Sequence, residues 1–157
     1  MTRVELLDAM AEYQRGLAAE LRILSQVQAL ARSQRTASDT HDAAALGTIA
    51  ERRDVLMAGL VGLEQQLRPV RATLARERDA AAGFPAFRDL VRLHREAASL
   101  VTDILSTDRE TVRALEEAER ARRLAAHVLD TGEATLAAYR RVITPAPGSA
   151  GLVDRLG

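Results

Sequence analysis

The sequence predicts an all-α fold: an elongated antiparallel helical bundle or coiled coil of about three helices, ending in a long C-terminal helix. Three observations predict it. Apolar or small residues recur at alternating spacings of three and four, the mark of one helix face and not of a strand. The apolar mass is 47% of the chain, mostly Ala, Leu and Val, with only 3% aromatic residues and no Trp, which suits interlocking helices. Proline is scarce, and none falls between Pro85 and Pro145.

The first helix is expected from Arg3 to about Ser33. Thr2 stands three residues before Glu5, the capping-box spacing in which each side chain satisfies the other residue's free backbone N–H. The seam reads Leu7, Met10, Gln14, Leu17, Leu21, Leu24, Gln28, Ala31, where two glutamines weaken packing but fix register. From Ser33 to Asp42 the period stops in Ser, Thr and Asp, whose side chains compete for backbone hydrogen bonds. A loop or junction is expected there, with Ser38, Asp39 or Thr40 capping the next helix.

The second helix has the cleanest period: Leu46, Ile49, Arg53, Leu56, Leu60, Leu63, Leu67, Val70, Leu74. Gly47, Gly59 and Gly62 lie off this seam, each costing ~1 kcal/mol of helix stability relative to Ala. Pro69 lacks a backbone donor and crowds the preceding turn, so a kink or break is expected near Gln65 to Arg68. Arg71 to Ala82 is expected to continue as helix and end at Gly83.

The long helix runs from Ala86, after the breaker cluster Gly83-Phe84-Pro85, to about Ile143, roughly 80 Å at ~1.5 Å per residue. Its seam is Phe87, Leu90, His94, Ala97, Val101, Ile104, Asp108, Thr111, Leu115, Ala118, Arg122, Ala125, Leu129. His94, Asp108 and Arg122 interrupt it at two-heptad intervals. Either the stripe drifts by one position there, with Leu105 and Val112 taking over around Asp108, or these residues mark where the helix leaves the core. The drift is the favoured expectation. Glu116 with Arg120 and Glu119 with Arg123 stand at i,i+4 in the favourable order on a solvated face. Residues 1–143 are read as a single helical domain and 144–157 as a flexible C-terminal tail, which opens Thr-Pro-Ala-Pro-Gly and closes on Leu152, Val153 and Leu156.

Several function classes are excluded. The chain has 22 basic and 22 acidic residues, and a formal charge of zero argues against general affinity for nucleic acid or an acidic membrane. All basic residues are Arg, with no Lys or Asn, a pattern of GC-rich bacterial coding. Without Cys there is no disulfide, thiolate metal site or Cys nucleophile. His41 falls in the polar junction and His94 on the seam, and His94 and His127 are too far apart on one helix to share a metal. Neither Glu-x-x-His, His-Glu-x-x-His, a Walker loop nor a dinucleotide glycine pattern occurs. The expectation is a protein that is not an enzyme and uses no cofactor or metal. Met1-Thr2-Arg3-Val4-Glu5 enters an amphipathic pattern directly, neither signal peptide nor membrane span, so a cytoplasmic location without membrane insertion is expected.

The end of the long helix carries Leu129, Leu136, Tyr139, Val142 and Ile143, apolar residues with one large aromatic anchor. Either the first helix covers them, or they form a surface for a partner helix read through i, i+3, i+4, i+7 anchors.

A first helix, a short Asp-containing junction and a second helix bearing Leu46, Arg52-Arg53, Leu56 and Leu60 resemble FlgN-type flagellar export chaperones. Asp39 or Asp42, Leu46, Arg53, Leu56 and Leu60 are the matching positions, and the layout with a long C-terminal helix and tail matches over nearly the whole chain. The chain departs from the family in having few Glu and Gln, and three glycines, in the second helix. The resemblance implies a cytoplasmic helical chaperone in a type III export system for flagellum assembly. It implies that the protein binds C-terminal helices of hook–filament junction (hook-associated) proteins, prevents their premature assembly, and delivers them to the flagellar export apparatus. It places client binding on Leu129, Leu136, Tyr139, Val142 and Ile143, with Leu152, Val153 and Leu156 as a second contact, on a monomer or homodimer. The alternative is a self-associating helical scaffold or oligomerisation protein without a client, whose seam residues pair between identical chains.

Overall fold

The computed structural model describes residues 1–143. Four helices make up almost all of them: α1 (Arg3–Asp39), α2 (Ala43–Arg76), α3 (Arg78–Ala82) and α4 (Pro85–Ile143). No strand occurs among the described residues. The chain divides into two units, Met1–Ala114 and a second that begins at Leu115. The expected tail, 144–157, lies outside the described residues.

α1 starts as its sequence dictates. The Glu5 N–H donates to the Thr2 hydroxyl at 3.2 Å and the Thr2 N–H to the Glu5 carboxylate at 2.6 Å, completing the capping box. The helix then runs past Ser33 to Asp39, so the expected loop over Ser33–Asp42 shrinks to the turn Thr40–Asp42. The polar residues that predicted a break instead bond inside the helix. The Ser33 and Thr36 hydroxyls donate to the carbonyls of Ala29 and Arg32, and Arg35 pairs with Asp39 at 2.7 Å. α1 ends with His41 in the left-handed region at φ 55°. The Asp42 N–H reaches the Ala37 carbonyl and the His41 N–H the Ser38 carbonyl, the paired bonds of a Schellman cap. The cap of α2 is therefore Asp42, whose carboxylate accepts from the Ala45 N–H at 3.0 Å, and not Ser38, Asp39 or Thr40.

α2 passes through Pro69 without interruption and stops at Arg76, with Glu77 separating it from the five-residue α3. The expected break does not occur because Gln65, Gln66, Arg68 and Pro69 all face solvent, where water can satisfy the carbonyl that Pro69 leaves without a donor. Leu63, Leu67, Val70 and Leu74 pack on the opposite face and hold the helix across the site.

Within the first unit α1 and α2 are antiparallel. An added Cβ at Gly16 would meet Leu67, Gly59 lies near Ile23, and Gln34 bonds Arg53, so the contacts step backward along α2. The core falls into two clusters. One holds Leu6, Met10, Tyr13, Leu17, Leu67, Leu74, Ala81 and Leu90, and the other holds Leu24, Val27, Ala97 and Ile104. Burying a Leu or Met side chain fully contributes roughly 1.5–3 kcal/mol.

All nine positions of the expected α2 seam are buried or half-buried. In α1 one row of the expected seam is buried, Met10, Leu17, Leu24 and Ala31, but the other row lies one residue earlier, at Leu6, Tyr13, Glu20 and Val27. Leu7 and Gln14 are exposed. α4 shows the same offset: Leu90, Ala97, Ile104 and Thr111 are buried, joined by half-buried Leu93 and Leu100, while His94 and Val101 face out. Leu105 and Val112 do not take over around Asp108, for both are about half exposed. Asp108 stays in the seam because Arg53, the polar member of the α2 seam, meets it at 2.7 and 2.9 Å.

Candidate functional site

The residues read as a partner surface all belong to the second unit. Leu129, Leu136 and Tyr139 are 68%, 57% and 63% exposed. Val142 and Ile143 continue α4, but their side chains lie outside what is described, as do Leu152, Val153 and Leu156 entirely. Leu124 and Val128 are exposed on the same stretch, and sequence reasoning passed them over because they fall beside the seam it followed. Their signal was the i, i+4 spacing itself.

The local chemistry of this stretch is that of an exposed apolar row. Leu129 and Leu136 are one heptad apart and Tyr139 follows at i+3, so the three share one side of the helix. Shallow depressions lie beside them, one along Thr131, Thr135 and Tyr139, the other along Val128, Gly132 and Leu136. A Cβ added at Gly132 would meet nothing within 4 Å. At the start of this unit Glu119 accepts from Arg122 at 2.9 Å and from Arg123 at 3.0 Å, and these bonds hold its carboxyl down at about 2. The expected partnership of Glu119 with Arg123 forms, whereas Glu116 and Arg120 make no ion pair among the described residues.

The first unit carries the polar chemistry. Glu20 is 4% exposed in the α1 seam and faces Glu64 and Arg71 of α2. Arg71 grips Glu64 with two bonds of 2.8 and 3.0 Å and donates from Nε to the Tyr13 hydroxyl at 3.0 Å. Arg71 comes no closer to Glu20 than 3.7 Å, from Nη2. Burial pushes the Glu20 carboxyl up to about 7, reinforced by its hydrogen bond to Glu64 and the charge of Glu64. The bonds from Arg71, and then from Glu20, hold the Glu64 carboxyl well below the usual range. His94, expected on the seam, is exposed beside this cluster with no hydrogen bond among the described residues.

The second polar node ties all three long helices of the unit. Arg53 Nη1 donates to Gln34 at 2.7 Å while the guanidinium forks onto Asp108, and the bond to Asp108 raises its pKa. The positions that carry the family resemblance therefore have structural jobs: Asp42 caps α2, Arg53 pairs with Asp108, and Leu56 and Leu60 pack on the second core cluster.

Among the described residues no group of three or more His, Asp or Glu is placed to hold a metal ion, and no helix is long and apolar enough to cross a membrane. Comparison of the chain with protein-family models, curated proteins and solved structures finds no match.

Proposed function

We propose that this protein is a chaperone of the FlgN type, which captures the amphipathic C-terminal helix of a hook-associated flagellar protein in the cytoplasm and passes it to the export apparatus. The observation that carries the reading is the exposed row Leu129, Leu136 and Tyr139 on an unaccompanied helical stretch. The client helix lays its apolar stripe along this row. Each Å² of apolar surface removed from water contributes ~25 cal/mol, less the cost of ordering the client. The same stripe is what a client helix would use for premature assembly, so capture blocks it. The second arm of support is the match of Asp42, Leu46, Arg53, Leu56 and Leu60 to the family layout. No step of capture and release calls for nucleotide or metal on the chaperone.

The test is a pull-down from lysate of the organism that makes the chain, with the full-length protein and a Leu136→Asp/Tyr139→Asp variant as baits. Hook-associated proteins retained by the first and lost from the second are the expected result. Retention by both moves the site off this row, and recovery of no hook-associated protein by either overturns the chaperone reading.

A further inference from the structure

The first unit holds a cavity that capture of a client helix does not use. It lies where α1, α2, α3 and α4 come together, and its volume is about 370 Å³, within the range of small-molecule sites.

The lining has an apolar part and a cationic part. Buried Tyr13, Leu74 and Leu90 and half-buried Phe87 make up most of the first. The whole chain has two Tyr and two Phe and no Trp, yet one of each, from different helices, meets at this cavity. Aromatic walls favour a ring, which gains edge-to-face or offset contacts beyond its burial.

The cationic part is Arg71, Arg78, Arg95 and His94, and no Asp or Glu lines the cavity. In a chain with 22 basic and 22 acidic residues this imbalance is local. Arg71 is already engaged by Glu64 and Tyr13. Arg78 and Arg95 make no ion pair among the described residues, so two guanidinium groups remain for an anion. The planar fork of Arg matches a carboxylate, which accepts two parallel N–H bonds from it.

We propose that this cavity binds a small aromatic carboxylate, its ring against Tyr13, Phe87 and the buried leucines and its carboxylate held by Arg78 and Arg95. A neutral ring would leave both cations without a partner, and an inorganic anion would leave the apolar lining wet. One molecule that carries both features satisfies the whole site. All the lining residues belong to the first unit, whereas the row assigned to the client belongs to the second.

The probe is 1-naphthaleneacetate, with 1-naphthaleneacetamide as an uncharged counterpart of nearly the same shape. Without Trp in the chain, naphthalene fluorescence is read free of indole background. Titration of the full-length protein is expected to show saturable binding of the acid and about tenfold weaker binding of the amide. In Arg78→Gln/Arg95→Gln the acid is expected to fall to the affinity of the amide, with the amide unchanged. Both arginines are exposed, so the double variant is expected to keep its fold, which far-ultraviolet circular dichroism checks. The chain has two Tyr, and proton NMR locates the ring: the acid is expected to shift the Tyr13 ring signals and not those of Tyr139. Failure of the acid to saturate, equal affinities for acid and amide, undiminished binding of the acid by the double variant, or a shift at Tyr139 alone each overturns the proposal.

Discussion

Glu20 shows what a single residue can hide in a helical sequence. It lies in a run rich in Leu and Ala, beside Leu21, which the periodicity favours as the buried residue. The structure buries Glu20 instead, and its one nearby cation is already committed to Glu64. The consequence is a pH dependence with a definite sign. Below the ordinary value of 4.5 the Glu20 carboxyl is protonated in both folded and unfolded chains and costs nothing. Between 4.5 and about 7 the unfolded chain gives up the proton that the folded chain keeps, so stability falls as pH rises. Above about 7 the full penalty remains. Glu64 has the opposite sign: its lowered pKa contributes stability that is lost as pH falls below its ordinary value. Glu20→Gln keeps a donor toward Glu64 and removes the ionisation. Urea unfolding at acid, intermediate and alkaline pH is expected to show the variant more stable above pH 7 by roughly 1–3 kcal/mol, with little difference below pH 4.5. Equal stabilities at alkaline pH would show that Glu20 carries no buried charge.

At the scale of the helix, the lesson is about which side of a stripe faces in. The α2 seam was fully legible because its row of leucines is nearly unbroken, while its apolar neighbours Val55, Met57 and Val61 do not extend into a second row. In α1 and α4 apolar residues stand on both sides of the correct row. Leu6 competes with Leu7, and Leu100 with Val101. Periodicity cannot separate neighbours 100° apart on a wheel when either gives an apolar stripe, and only the direction of the packing partner decides. The polar seam residues were visible, but their pairing was not. Arg53 and Asp108 interrupt different seams and cancel each other across the core, which nothing local to either helix announces. The missed ends of α1 and α2 have the same origin, since Ser33, Thr36 and Asp42 each act through a hydrogen bond whose choice the sequence leaves open.

Gly16 makes the packing testable. It is buried where α1 and α2 cross, and a Cβ there would overlap the Leu67 side chain. Gly16→Ala is expected to destabilise by about 1–3 kcal/mol through overpacking, despite the ~1 kcal/mol that Ala gains in helix propensity. Gly47→Ala and Gly62→Ala, with open space around the new Cβ, are expected to stabilise by about 0.5–1 kcal/mol each. Urea midpoints separate the two classes, and a stabilising Gly16→Ala would show that the helices do not approach closely at this point.

For the whole molecule, the all-α class and the long last helix could be read directly from the periodicity and the scarcity of proline, whereas the exposure of the apolar residues at its end was left open. The identity of a partner could not be read, because an apolar helix face records the size and spacing of what it binds and little else. The account rests on one claim, that the row through Leu129, Leu136 and Tyr139 is where a client helix docks. The most direct test is a calorimetric titration of the full-length protein with the C-terminal segment of the hook-associated protein it retains, repeated with Leu136→Asp/Tyr139→Asp. The account predicts saturable binding with a negative heat-capacity change, as apolar burial requires. It also predicts an affinity at least about 100-fold weaker in the variant, the loss of two buried apolar side chains. Binding of equal strength to both proteins would contradict it.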